Sequence, residues 1–198
     1  YQLISFIMSI MMALGMVGTP ATDDTIKNIE PDTVLDFVVV GDTQVSNIMP
    51  SREANFAAFA QDMRNSQIDL DAFIVAGDVT ENGFPEEYAR IYDNINDYNV
   101  RNYILCTGNH DIRLNEYETG TARFFDFMNN LNEGKNDQNS THYKYEIDGY
   151  TFLVLGSDNW DFEKAYISDA QLQWLNLELK EATKNGRPVF VIAHYPLA

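Results

Sequence analysis

The fold of this chain is predicted from one stretch, Tyr103-Ile-Leu-Cys-Thr-Gly-Asn-His-Asp111. Its first four residues are apolar, which is the pattern of a buried strand. A glycine, an amide, an imidazole and a carboxylate then follow in direct succession. Because loops at strand ends often carry the chemistry of a protein, this stretch predicts a buried strand that ends in functional side chains.

Two earlier segments have the same organisation. Asp36–Val40 runs into Gly41-Asp-Thr-Gln44, and Ala72–Ala76 runs into Gly77-Asp78. After each of the three strands, apolar residues recur at helical spacing. These sets are Phe56, Phe59, Ala60 and Met63, then Tyr88, Ile91, Tyr92 and Ile95, then Phe124, Phe127, Met128 and Leu131. The β-α-β-α-β-α order predicts an α/β fold in which helices cover a sheet with parallel strands.

The second half of the chain predicts a hairpin, a capped helix and a last strand. Residues 142–147 alternate with period two, Asp148-Gly149 is a type I′ turn signal, and Tyr150–Leu155 is the returning strand. Ser168 and Gln171 have the spacing of a capping box, before a helix predicted to turn Leu172, Leu175 and Leu179 inward. The last predicted strand is Val189–Ala193, and it ends at His194.

Composition limits the partners. With 198 residues and 45% hydrophobic content, the chain can bury one core. The net charge of −17 argues against nucleic acid or an anionic membrane surface as a partner. Cys106 is the single cysteine and lies in an apolar run, so we expect an inert core thiol, with no disulfide and no cysteine cage for zinc.

The first 21 residues form a separate segment. Leu3–Val17 is almost wholly apolar or small, with the length of a secretory h-region, and Gly18-Thr-Pro-Ala21 resembles a cleavage site. We expect residues 1–21 to be a truncated signal peptide, with an N-terminal anchor or core helix as the alternative, residues 22–35 a linker, and residues 36–198 one domain. The expected localisation is exported or cell-surface, with membrane contact only through an uncleaved N-terminal segment, and a cytoplasmic location stays open.

Four predicted strand ends carry oxygen or nitrogen ligands. They are Asp42 and Gln44, Asp78, Asn109 to Asp111, and His194. In α/β sheets, ligands gather outside the carboxyl ends of the strands, so these distant residues can meet. A single Asp after Gly is more typical of a turn or a helix cap. Four such ends together favour a site for a hard or borderline metal ion, which carboxylates, amides and imidazoles bind.

These strand ends resemble four of the five motifs of the calcineurin-like metallophosphoesterases. The motifs are Gly41-Asp-Thr-Gln44, Gly77-Asp-Val-Thr-Glu-Asn82, Gly108-Asn-His-Asp111 and Ala193-His-Tyr-Pro196. The stretch from Ile167 to Leu175 also resembles the helix before the fourth motif in secreted and cyclic-nucleotide-phosphodiesterase-like members. The resemblance implies a four-layer αββα sandwich with mixed sheets, and metal-dependent hydrolysis of a small-molecule phosphoester.

The resemblance also implies a role for each motif residue. Asp42 and Gln44 would bind the first metal ion, Asp78 would bridge both ions, and Asn109 and His194 would bind the second. His110 would stand beside the leaving-group oxygen as an acid or electrostatic stabiliser, and Asp111 would orient His110. The implied cofactors are two divalent or trivalent ions, Mn, Fe or Zn, which activate a water for attack on phosphorus. No organic cofactor is implied.

Two departures from the family pattern change these expectations. Most members have His where Gln44 stands, and Gln offers only a neutral oxygen or a hydrogen bond to a ligand, so we expect a looser first metal site or a different metal preference. The fifth motif, Gly-His-x-His, is absent before the end of the chain at Ala198. We therefore expect a C-terminally incomplete chain that holds the N-terminal two thirds of the domain and binds the metals poorly by itself.

Other interpretations stay open. A phosphodiesterase is favoured, and a phosphomonoesterase of the same family is the alternative. In a different class, the chain is a non-catalytic surface module whose carboxylates hold structural Ca²⁺ or nothing, although His110 and His194 favour catalysis. Trp160 and its neighbours form a packing segment or a lid over the site. His142 matches no motif and is predicted to lie at the surface.

Overall fold

The computed structural model describes residues 35–159 and 166–195. The predicted signal peptide or anchor, nearly all of the predicted linker, Trp160 and the end of the fourth motif at Pro196 lie outside the described residues. Within the described part of the chain, no helix combines the length and the apolar sequence that crossing a membrane requires.

Strands and helices alternate along the chain. The strands are β1 (Phe37–Val40), β2 (Ala72–Ala76), β3 (Tyr103–Cys106), β4 (Tyr143–Ile147), β5 (Tyr150–Leu155) and β6 (Val189–Ala193). The helices are α1 (Pro50–Ser66), α2 (Pro85–Ile95), α3 (Asn109–Ile112), α4 (Tyr117–Leu131) and α5 (Asp169–Ala182), with a 3-10 turn at Thr183–Asn185. The six strands lie where the sequence predicts them, and the short helix α3 is an addition to the predicted elements.

The strands form two three-stranded sheets. In the first sheet, β2 lies between β1 and β3, and both pairs are parallel. In the second sheet, β5 pairs antiparallel with β4 and parallel with β6. The hairpin turn at Asp148 and Gly149 has positive φ at both positions, as a type I′ turn requires. The predicted α/β class with a mixed sheet is therefore confirmed.

The two sheets pack face to face. The ring of Phe37 in β1 lies 5.7 Å from that of Phe152 in β5, edge to face. The Tyr143 hydroxyl of β4 donates to the Leu105 carbonyl of β3 at 2.8 Å, and the Cys106 thiol lies 3.0 Å from the Leu155 carbonyl. Cys106 is buried as predicted, and burial raises the pKa of its thiol to about 12. Helices α1 and α4 pack on the first sheet and α5 on the second, so the layers follow the αββα order.

The predicted burial of two helix residues, Leu172 and Tyr92, is wrong. Leu172 of α5 is 50% exposed, because the inward position is taken by Gln171, which is fully buried and donates from Nε2 to the Gly156 carbonyl at 2.9 Å. Ser168 caps this helix as predicted, by accepting from the Gln171 backbone N–H. Tyr92 of α2 is 40% exposed because it lies at the edge of the buried helix face, which is centred on Ile91.

Candidate metal site

The ends of β1, β2 and β6 meet at one edge of the sandwich. Ligand atoms of Asp42, Asp78 and His194 all lie within 4.8 Å of one another. Asn109 joins them, because its Oδ1 lies 3.1 Å from His194 Nε2. The structure thus brings together four of the five residues predicted as metal ligands, and Gln44 contacts the same group through Asp78.

The loops that carry these residues adopt a strained backbone. Asp42, Gln44 and Asp78 have φ values of 54°, 42° and 51°, in the left-handed region. Each such residue costs on the order of 1 kcal/mol, and such strain clusters at functional sites. The two loops are also tied together, since Asp42 N donates to the Gly77 carbonyl and Gln44 N to the Asp78 carbonyl, at 3.1 and 2.9 Å. The loops therefore adopt a backbone conformation that is locally unfavourable but that positions the side chains of the site.

Two motif glycines make room for the site. A Cβ on Gly77 would lie 2.4 Å from Cβ of His194, and Gly77 also has a φ of +84°. A Cβ on Gly108 would lie 2.1 Å from Oδ1 of Asp78. Both distances are far below van der Waals contact, so the glycines allow the imidazole and the carboxylate to approach the neighbouring strand ends.

The contacts of His194 are those of a metal ligand. Nδ1 of His194 lies 3.1 Å from the Ala76 carbonyl, which can only accept, so this nitrogen carries the proton. Nε2 faces Asn109 Oδ1 at 3.1 Å and Asp78 Oδ1 at 3.3 Å, and in a neutral imidazole it is then an acceptor. In the neutral form of the ring, three acceptor atoms thus converge on one point. A metal ion fits this donor set, and the Nδ1 hydrogen bond presents Nε2 as a ligand.

Gln44 contacts the predicted bridging residue. Its Nε2 donates to Oδ2 of Asp78 at 3.2 Å, while Oδ1 of the same carboxylate faces His194. The Gln44 amide therefore supports the Asp78 carboxylate by a hydrogen bond. This is the second of the two roles expected for Gln44 from the sequence. Coordination of a metal by the Gln44 oxygen stays a prediction.

His110 lies beside the cluster. Its backbone N–H donates to Asp78 Oδ1 at 2.9 Å, and its Nδ1 lies 3.0 Å from the Glu81 carbonyl. Burial lowers the pKa of the imidazole, although the nearby Asp78 carboxylate acts in the opposite direction. The ring is therefore held near the predicted metal ligands by the loop that follows β2.

Asp111 fastens two of the site loops to each other. Its buried carboxylate accepts hydrogen bonds from the backbone N–H groups of Val79, Thr80 and Gly108, at 3.3, 2.9 and 2.9 Å, and from the Thr80 hydroxyl at 3.0 Å. Burial raises the pKa of this carboxyl to about 7, and the hydrogen bonds from Gly108 and Thr80 oppose the rise. The predicted orientation of His110 by Asp111 stays a prediction, and the observed bonds give Asp111 a second task in shaping the site.

Sequence analysis missed an ionic cluster next to His110. Glu81 is only 5% exposed and forms ion pairs with Arg52 of α1 and with Arg113 after α3. A carboxylate buried to this extent requires a cationic partner, but its burial is not visible in the sequence. Which arginines provide it depends on helix placement that spacing does not reveal.

The comparisons with known proteins identify the family. A sequence model of the calcineurin-like phosphoesterase family matches residues 35–198. The chain belongs to this family. The predicted membership in a family of phosphoester hydrolases is thus confirmed.

Two curated relatives carry more specific names. A 3′,5′-cyclic-nucleotide phosphodiesterase of Nostoc sp. is 26% identical over 146 residues, which cover 74% of this chain and 48% of the relative. A probable cyclic nucleotide phosphodiesterase of Fibrobacter succinogenes is 30% identical over 131 residues, which cover 66% of this chain and 44% of the relative. The chain therefore spans about half the length of the curated relatives it matches.

Proposed function

We propose that the protein is a metal-dependent phosphodiesterase with a pair of divalent ions as its cofactor. The observation that supports this most is the meeting of ligand atoms of Asp42, Asp78 and His194 within 4.8 Å of one another, with Asn109 Oδ1 3.1 Å from His194 Nε2. Both reported relatives are named as cyclic nucleotide phosphodiesterases, so a 3′,5′-cyclic nucleotide is the substrate class that we propose.

The residues of the site have separate roles in this proposal. Asp42, Asp78, Asn109 and His194 hold the ions, and Gln44 either binds an ion or supports Asp78. Bound divalent ions supply the positive field that polarises a phosphoryl oxygen and lowers the pKa of a water. His110 in its cationic form can donate a proton from Nε2 to the leaving-group oxygen, because its Nδ1 is already held by the Glu81 carbonyl.

Hydrolysis assays on the full-length protein test this function. We expect bis-p-nitrophenyl phosphate and 3′,5′-cyclic AMP to be hydrolysed with added Mn²⁺, faster than p-nitrophenyl phosphate, and activity to disappear with a chelator. His194→Ala should lower kcat/KM on the order of 1,000-fold, because it removes a ligand that the remaining acceptors cannot replace. His142→Gln is the matched control, since His142 precedes β4, which β5 separates from β6, and packs against Trp174 of α5 at 4.9 Å.

Each other outcome has a definite meaning. Equal activity in the His194→Ala and His142→Gln variants would show that the cluster is not the site. A preference for the monoester identifies a phosphomonoesterase. Metal binding without turnover identifies the non-catalytic module.

We also propose that the protein is exported, which rests on the apolar N-terminal segment of the sequence. Expression of the full-length gene with its own N-terminus, followed by N-terminal sequencing of the extracellular protein, tests this. A first residue close to Ala21 is the expected result, and retention of the whole protein inside the cell contradicts export.

A further inference from the structure

A cavity opens directly beside the candidate metal site. Its volume is about 290 Å³, and one wall is the segment from Val40 to Gln44, which includes the predicted ligand Asp42. The opposite wall is the first half of α1, with Arg52, Asn55 and Phe59. A phosphoester bound at the metal site therefore has this cavity next to it.

The chemistry of the cavity suits the organic part of a substrate. Phe56 and Phe59 give it an apolar wall, whereas Arg52 and Asn55 give it hydrogen-bond donors. Small-molecule pockets typically have volumes of about 300–1,000 Å³, so this one is at the small end. A single heterocyclic ring system fits this size better than a peptide or a polynucleotide.

Arg52 is the basic residue among the described residues that line this cavity. Its side chain is 32% exposed, and one guanidinium nitrogen pairs with the Glu81 carboxylate. A guanidinium group has five N–H donors, so the ion pair with Glu81 leaves others for a ligand. Arginine is also the side chain best suited to bind phosphate oxygens.

Glu81 connects this arginine to the reaction centre. Its carboxylate pairs with Arg52, and its backbone carbonyl lies 3.0 Å from Nδ1 of His110. Arg113 pairs with the same carboxylate and also donates to Asn82 Oδ1 at 2.7 Å, which anchors Glu81 from the other side. Arg52 is thus fixed at the boundary between the cavity and the predicted site of phosphate cleavage.

We propose that this cavity is the subsite for the nucleoside part of a nucleotide substrate, and that Arg52 binds a substrate oxygen at its entrance. The inference rests on the proposed function and adds a specificity-determining residue to it. Asp42 and Gln44 form the boundary on the metal side, Arg52 contacts the anion, and Phe59 with Asn55 receives the ring.

Competitive inhibition and calorimetry with two probes test the subsite on the full-length protein with Mn²⁺. The probes are inorganic phosphate, which reports the anion site, and adenosine 5′-monophosphate, which also needs space for the nucleoside. Asn55→Trp fills the cavity from an exposed position, so it should not disturb folding. We expect it to raise the Ki of the monophosphate about tenfold while the Ki of phosphate stays within about twofold.

Two substitutions at Arg52 test the anion contact. Arg52→Gln should raise the Ki of both probes about tenfold, because each loses the charge-assisted hydrogen bond. Arg52→Lys keeps the charge and the pair with Glu81, so it should show a smaller loss even if Arg52→Gln is unstable. Arg64→Gln is the matched control: Arg64 lies at the other end of α1, pairs with Asp97 at 2.8 Å, and should change neither Ki.

The results separate the subsite from the function. An unchanged ratio of the two Ki values in Asn55→Trp, or equal behaviour of Arg52→Gln and Arg64→Gln, overturns the subsite even when the protein is an active phosphodiesterase. A wild-type protein without metal-dependent turnover contradicts the proposed function instead. Calorimetry then still measures the binding of both probes, since it does not depend on turnover.

Discussion

The loops after β1 and β2 begin with the same Gly-Asp pair, yet they have different surroundings. Asp42 and Asp78 share a left-handed backbone, with φ values of 54° and 51°. Asp42 is exposed, whereas Asp78 is buried and contacts His110, His194 and Gln44. Among the described strands, β2 has a neighbour on each side, whereas β1 pairs with β2 alone. The same motif thus places one aspartate in the buried centre of the sheet and the other in an exposed position.

The largest effect is expected when the charge of each of the two aspartates is removed in turn. Asp78→Asn should lower kcat/KM on the order of 1,000-fold and remove bound metal, because Asp78 faces every other part of the cluster. Asp42→Asn should cost about tenfold to 100-fold, because one exposed ligand can be replaced in part by water. Metal content by mass spectrometry and kcat/KM on bis-p-nitrophenyl phosphate measure both. Equal losses would show that burial does not distinguish the two aspartates.

A second pair of variants tests how much space the glycines of the site loops have, by the effect of an added methyl group on stability. Gly108→Ala places a Cβ against the Asp78 carboxylate and should lower the free energy of unfolding by about 2–4 kcal/mol. Gly41→Ala is the matched control, because the nearest atom to its Cβ would be the Ala76 carbonyl oxygen at 3.7 Å, an ordinary contact. We expect the control to change stability by less than about 1 kcal/mol. Urea unfolding measures both, and a larger effect of Gly41→Ala would contradict the geometry.

The smallest effect is expected at Gln44. Gln44→His exchanges a neutral amide for an imidazole on the exposed loop, and should raise the affinity for Mn²⁺ or Zn²⁺ about tenfold, because imidazole is the stronger ligand. Titration calorimetry measures the affinity, with Asn65→His, at an exposed position near the other end of α1, as the control for a new histidine. An unchanged affinity would indicate that Gln44 acts by its hydrogen bond to Asp78.

Much of the fold could be predicted because its signals are local. Apolar runs predicted five of the strands, alternation with period two predicted β4, and period 3.6 predicted the buried faces of α1 and α4. The wrong positions, Tyr92 and Leu172, both lie at the edges of helix faces, where spacing alone does not decide which residue turns inward. Gln171 was taken for a capping residue, although the sheet beneath it offers the Gly156 carbonyl as a partner.

The sequence predicted which residues meet at the candidate site, but it predicted only part of their spatial arrangement. Asp42, Asp78, Asn109 and His194 were identified because each follows a strand, and parallel strands end at a common edge. The ion pairs of Glu81 with Arg52 and Arg113 join residues about 30 positions apart in the sequence, so no local pattern contains them. The cavity beside Arg52 likewise exists only when α1 lies across the loop after β1.

By itself, the sequence determined the order of strands and helices, the resemblance to the calcineurin-like phosphoesterases and the ligand types at the strand ends. These depend on side-chain period and on short motifs, which are properties of neighbouring residues. Only the tertiary structure decided which aspartate is buried, which nitrogen of His194 carries the proton and which arginine stands beside the cavity. Each of these depends on groups that folding brings together, such as His194 and the Ala76 carbonyl, which are 118 residues apart in the chain.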